Sequence, residues 1–111
     1  MHNAIPCDGR SVWQDVFFGE NPELDGQGFW VHHAIPRKIF RDYPGLIDPA
    51  LENDISNLRG VSPASNNQIH LGDIGTLWLR LVKTNGSALT SEQVYWMRDF
   101  IDTIYGSILR R

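Results

Sequence analysis

The chain has 111 residues, room for one domain and little more. A hydrophobic fraction of 41% and four tryptophans describe a packed globule, and a net charge of −3 does not favour nucleic-acid binding by bulk attraction. The single cysteine, Cys7, excludes an intrachain disulfide and a Cys-based zinc site. No run approaches the roughly 18 apolar residues of a membrane span, and no basic segment followed by an apolar run marks a signal peptide.

Charge is unevenly spread. Asp8, Asp15, Glu20, Glu23 and Asp25 crowd the first quarter, while Arg37, Lys38 and Arg41 follow a histidine pair and Arg59 follows Asn57. A local basic face on a mildly acidic protein is therefore expected.

Residues 1–10 read as irregular, with Cys7 an inert residue near a terminus. A short helix is predicted from Ser11 to Phe18, with Val12, Val16 and Phe17 partly on one side, and residues 19–28 read as loop. Phe29 to Ala34 reads as a strand rising out of glycines. Pro36 opens a helix over Arg37–Asp42, because proline needs no N–H in the first turn, and Pro44-Gly45 ends it. Asp48 caps a further short helix through about Asn53. Ile55 to Val61 reads as a second strand, the return arm of a hairpin.

Two stronger helices follow. Ile74, Leu77, Trp78, Leu81 and Val82 repeat at helical spacing and predict a helix from about Ser65 to Lys83, stopped by Asn85-Gly86. Thr90 and Gln93 have capping-box spacing and open a helix running to about Leu109, with Val94, Met97, Ile101, Ile104 and Ile108 as its core stripe. Trp78 and Trp96 are assigned to the core, and Trp30 to packing under the histidine pair. The echo of His32–Pro36 in His2–Pro6 lacks a second histidine and is treated as chance.

His32 and His33 close the first predicted strand. Neighbours on a strand point to opposite faces, so the pair suits a division of labour: one imidazole on a metal, the other taking a proton from water. Asn66 lies one helical turn before His70, so both can face the same way. His32, Asn66 and His70 would make a three-ligand site with positions open for water and a phosphate oxygen. Asn57, placed on the return strand, has an amide suited to bracing the loop that carries His33. The rings of His32 and His70 are expected to converge, with His33 facing the same cleft.

The strings Val31-His32-His33-Ala34-Ile35-Pro36, Asn57-Leu58-Arg59-Gly60-Val61-Ser62-Pro63 and Asn66-Asn67-Gln68-Ile69-His70 resemble the HNH/endonuclease VII superfamily, the ββα-metal or His-Me finger nucleases. Within it they are most similar to the AHH-type polymorphic toxin domains, over about residues 28–82. The resemblance implies an α+β fold: a ββα-metal core at about residues 28–83 with flanking helices, including a C-terminal helix at about 90–109, in a single domain spanning 1–111. It implies metal ligation by His32 and His70, with Asn66 as third ligand and Asn67 or Asp73 as alternatives. His33 becomes the general base and Asn57 the residue that orients it. Arg37, Lys38 and Arg59 become contacts to the nucleic-acid backbone. Val31 stands where the group has Ala, Leu58-Arg59 separates Asn57 from Gly60, and no second helical histidine follows His70, which leaves the third ligand open.

The implied activity is phosphodiester hydrolysis with one divalent ion, Mg2+, Mn2+ or Zn2+, on DNA and with little sequence specificity, since backbone contacts carry little base information. The implied setting is a toxin domain excised from the C-terminus of a larger secreted protein. It would be delivered into a target cell's cytoplasm and neutralised by a cognate immunity protein, with no membrane partner. An RNA-cleaving toxin of the same fold and a non-catalytic zinc-binding interaction module are the competing readings.

Overall fold

The computed structural model describes residues 10–64 and 66–111. Residues 1–9, Cys7 and Asp8 among them, lie outside the described residues, as does Ser65, the expected start of the long helix. The architecture is α+β: a two-stranded antiparallel sheet flanked by helices, the last of them near the C-terminus.

Helix α1 spans Val12–Glu20. Ser11 caps it reciprocally: its hydroxyl accepts from Gln14 N–H at 3.4 Å, and its own N–H donates to Gln14 Oε1 at 2.8 Å. The helix runs two residues past the expected end, and Pro22–Leu24 forms a 3-10 turn inside the expected loop. Strand β1 is Trp30–His33, and helix α2 is Arg37–Asp42, as its Pro36 start predicts. Asp48 caps a single 3-10 turn at Pro49–Leu51 by accepting from Ala50 N–H at 3.0 Å.

The return strand β2 is shorter than expected, Leu58–Val61. Asn57 is not on it. It ends a 3-10 turn over Ile55–Asn57 that Asp54 caps through Ser56 N–H at 3.0 Å. The hairpin register pairs Trp30 with Val61, Val31 with Gly60, His32 with Arg59 and His33 with Leu58. Side-chain alternation then splits the hairpin in two. Val31, His33 and Leu58 share the face toward α1, where Leu58 packs with Phe17 and Phe18 and Val31 lies against them. His32, Arg59 and Val61 share the other face, where Val61 enters the main core.

Gly60 makes the first packing possible. A Cβ there would lie 2.5 Å from Phe17 Cζ, so glycine is what lets α1 press onto β2. The backbone of Gly60 also pairs with Arg110 in both directions, at 2.6 and 2.9 Å, so the chain end borders β2 on the side away from β1.

Helix α3 spans Asn67–Asn85 and stops at Gly86, whose φ of 52° few other residues adopt. Helix α4 spans Ser91–Ile104, with the expected capping box: Thr90 Oγ1 accepts from Gln93 N–H at 3.2 Å and Gln93 Oε1 from Thr90 N–H at 2.9 Å. Ile74 and Trp78 from α3 pack with Val94, Met97 and Ile101 from α4, together with Ile35, Ile39 and Val61. Full burial of one such aliphatic side chain stabilises the fold by about 1.5–3 kcal/mol.

Two expectations fail at the end of the chain. Helix α4 ends at Ile104 instead of near Leu109, because the chain must turn back to bury Leu109 and pair Arg110 with Gly60. Ile104 (52% exposed) lies outside the core, and Trp96 (61% exposed), off the buried stripe of Val94, Met97 and Ile101, stacks on Phe100 at 5.0 Å between ring centroids. Trp30 is also largely exposed. Among the described residues no helix is long and apolar enough to cross a membrane.

Candidate functional site

His33 is the better anchored of the two histidines. Its Nε2 lies 2.9 Å from Asn53 Oδ1, and the Trp13 ring meets it edge-on at 5.1 Å between centroids. Arg37 lies over the same Trp13 ring, 4.4 Å from its centroid, and donates from Nε to Glu52 Oε2 at 3.0 Å. Burial is the main force lowering the His33 pKa below its ordinary 6.5, and Arg37 adds to it; the Asn53 hydrogen bond and Glu52 oppose it.

Asn57 acts on the backbone next to His33, not on the ring. At 1% exposure it is sealed in the fold. Its Oδ1 accepts from Ile35 N–H at 2.8 Å, and its Nδ2 donates to Ile35 O at 3.2 Å and Glu52 O at 3.0 Å. Its own carbonyl accepts from Ala34 N–H at 2.7 Å. One residue thus ties the exit of β1 to the segment that carries Glu52 and Asn53. A buried amide with every bond made is a stiff brace, since breaking any bond leaves a desolvated group.

His32 lies on the opposite face, so the expectation of one cleft shared with His33 is not met; the register of β1 on β2 forbids it. Its Nε2 is buried and has no hydrogen-bond partner among the described residues. Burial, with His33 and Arg59 adding to it and Asp102 opposing, lowers its pKa from 6.5 to about 4. Near neutrality the ring is an uncharged imidazole, the form that ligates metals.

Arg59 leaves the group of expected phosphate contacts. It is 2% exposed, and its guanidinium grips Asp102 with two bonds, Nε to Oδ1 at 3.1 Å and Nη2 to Oδ2 at 2.9 Å. Its Nη1 donates to the carbonyls of Ser56 at 2.8 Å and Leu58 at 3.0 Å. This residue joins β2 to α4 and offers nothing to solvent. Arg37 is exposed but engaged by Glu52 and Trp13, whereas Lys38 is exposed and makes no ion pair among the described residues.

The helical candidates stand at the start of α3. Asn66 occupies the N-cap position, is exposed and makes no capping bond with its side chain. The His70 N–H donates to the Asn66 carbonyl at 3.3 Å, which sets the two side chains one turn apart on one face, and the His70 ring tilts against Tyr105 at 5.7 Å. Asn67, the alternative ligand, is buried, and its Nδ2 is committed to Ser62 O and Oγ, both at 3.0 Å. Asp73 is exposed farther along α3. Among the described residues no hydrogen bond or ring contact ties Asn66 or His70 to the histidine pair. No group of three or more His, Cys, Asp or Glu converges among them either. A shell built on His32 would have to include an amide, a backbone oxygen or water.

Asn53, Trp13, Glu52 and Asp102 carry no mark in the sequence that singles them out. Asn53 reads as the polar end of the short helix expected after Asp48, and Asp102 reads as one more charge on an amphipathic helix. No protein-family model, no curated protein and no solved structure matches the chain.

Proposed function

We propose that this chain is a metal-dependent phosphodiester nuclease domain of the ββα-metal kind, acting on DNA with little sequence preference. The observation that carries the reading is the buried Nε2 of His32, without a partner among the described residues, directly beside a second histidine that the fold holds in place. Orphaned buried nitrogens are rare, and a bound cation is one of the few things that satisfies an imidazole lone pair.

His32 would hold the ion, with His70 and Asn66 from the start of α3 as further donors, and water would complete the shell. Two imidazole nitrogens and an amide oxygen suit a borderline cation such as Zn2+, whereas Mg2+ or Mn2+, the other candidates, would draw more of their shell from water. When bound, the ion stabilises negative charge on the phosphate and on the leaving 3′ oxygen.

The remaining work belongs to side chains. His33 takes a proton from the attacking water as its oxygen closes on phosphorus and the bond to the 3′ oxygen breaks. Asn57 keeps the exit of β1, and hence His33, in position. Lys38 meets the phosphate backbone, and Arg37 does so only on loosening from Glu52. Opposite faces do not separate the two histidines far. Their Cα atoms are about 3.8 Å apart as chain neighbours.

By resemblance the domain is the toxic C-terminal part of a larger secreted protein used between bacteria, with an immunity protein as its natural inhibitor. Digestion of plasmid DNA and of total RNA, each with Mg2+, Mn2+ or Zn2+, tests the activity and the substrate together. The expected result is metal-dependent nicking of plasmid, lowered roughly 10²–10⁴-fold in His33→Ala, the range for loss of a general base, with the circular dichroism spectrum unchanged. Cleavage of RNA alone would move the domain to the RNA-cleaving reading. No cleavage with any ion would leave a binding module.

A further inference from the structure

We infer that Asn53 is a positioning residue for His33, holding its ring as the Nε2–H tautomer and leaving Nδ1 as the nitrogen that receives the proton. The role in proton transfer rests on reading His33 as the general base; the tautomer does not.

The geometry is a single short contact with chemical direction. Asn53 Oδ1 lies 2.9 Å from His33 Nε2, and a carbonyl oxygen can only accept. With Oδ1 facing the ring, the contact is a hydrogen bond when the hydrogen is on Nε2. A neutral imidazole carries one N–H, so Nδ1 keeps its lone pair. Nδ1 makes no hydrogen bond, and it is not sealed: the buried side-chain nitrogens without a partner among the described residues are His32 Nε2 and Trp78 Nε1. The nitrogen left open is therefore the one that can act on a water.

Asn53 is itself held from both sides. The Glu52 carbonyl accepts from Asn57 at 3.0 Å, and the Glu52 carboxylate binds Arg37 at 3.0 Å. On the other side Asp54 donates its N–H to Leu51 O at 3.2 Å and caps the turn that leads to Asn57. Trp13 packs edge-on against the imidazole, 5.1 Å between ring centroids. A partner fixed in this way selects one tautomer, as the outer partners of functional histidines do elsewhere, where their loss costs roughly 10–100-fold in affinity or activity.

The test reads the ring directly. Long-range 15N–1H correlation on uniformly labelled protein at pH 8, with His33 signals assigned by their absence in His33→Ala, distinguishes a protonated from an unprotonated ring nitrogen. The wild-type ring should show Nε2 protonated and Nδ1 unprotonated. Asn53→Ala should give a tautomer mixture and a kcat on plasmid lowered about tenfold with KM unchanged. Asn53→Asp, which keeps an acceptor oxygen, should retain the wild-type tautomer. A wild-type ring protonated on Nδ1 overturns the proposal, whatever the variants do. So does an Asn53→Ala protein with unchanged tautomer and rate. If the wild-type protein cuts no nucleic acid, the nuclease reading fails while the ring spectrum still decides the tautomer.

Discussion

On the main-core face of the hairpin, His32 lies buried near Arg59 and Asp102, with a nitrogen that nothing among the described residues satisfies. On the α1 face, one residue along, His33 is held by an amide, flanked by an aromatic edge and bordered by the Arg37–Glu52 pair. The difference follows from strand alternation and has a chemical consequence. One ring is made neutral and unsatisfied, which is what a metal ligand requires. The other is oriented and partly open, which is what a proton acceptor requires. The charges nearest the first ring hold the fold together, whereas those nearest the second lie at the surface, where a polyanion could reach them.

The largest expected effect breaks the first half of that contrast. Asp102→Ala leaves the Arg59 guanidinium buried without its carboxylate, and loss of one partner of a buried pair costs about 3–5 kcal/mol. Arg111 also donates to Asp102, at 3.0 Å, but it is exposed and contributes little. Urea unfolding should show the loss as a lowered midpoint. A change under about 1 kcal/mol would mean that solvent reaches Arg59 and that the His32 face is far less enclosed than the structure makes it.

Much of this architecture could be read from local chemistry. The Thr90–Gln93 capping box, the Pro36 start of α2 and the Gly86 stop of α3 follow from rules that span a few residues, and each element begins or ends where those rules place it. The histidine pair at the end of β1 was legible for the same reason; that Asn57's amide braces a backbone was expected from its chemistry, but its partners, Ile35 and Glu52, were not. Long-range demands were not. The early end of α4 and the exposure of Ile104 depend on Gly60, whose backbone captures Arg110. Arg59 looks like a surface cation until Asp102, distant in sequence and brought close by α4, takes it inside. Asn53 becomes visible only when Asn57 folds the segment before β2 against the exit of β1.

The next effect concerns the pKa of His32 and sharpens the claim that its ring is neutral. Its folded value, about 4, lies below its ordinary 6.5, so the unfolded chain binds the proton more tightly. Stability from this group is fully present above pH 6.5 and is lost as pH falls toward 4. At about 1.4 kcal/mol per unit the loss approaches 3 kcal/mol. Chelator-treated protein unfolded in urea at pH 7.5 and 4.5 should show it, against a His32→Leu variant whose stability changes less over the same range. Equal slopes for the two proteins would show that His32 is solvated, and the contrast between the faces would lose its basis.

The smallest effect tests the surface beside His33. Lys38 makes no ion pair among the described residues, whereas Arg37 is bound to Glu52 at 3.0 Å and lies over Trp13. A cation that neutralises one phosphate contributes about one unit to the slope of log binding constant against log salt. In a His33→Ala background, where DNA survives the measurement, Lys38→Ala should flatten that slope by about one unit and weaken binding alike on unrelated sequences. Arg37→Ala should flatten it by less than half as much, because most of its charge is already answered by Glu52. Equal effects would mean that Glu52 releases Arg37 when DNA arrives. The Glu52 carboxylate would then be left beside His33, and the α1 face would be electrostatically different in the complex from what it is in the free protein.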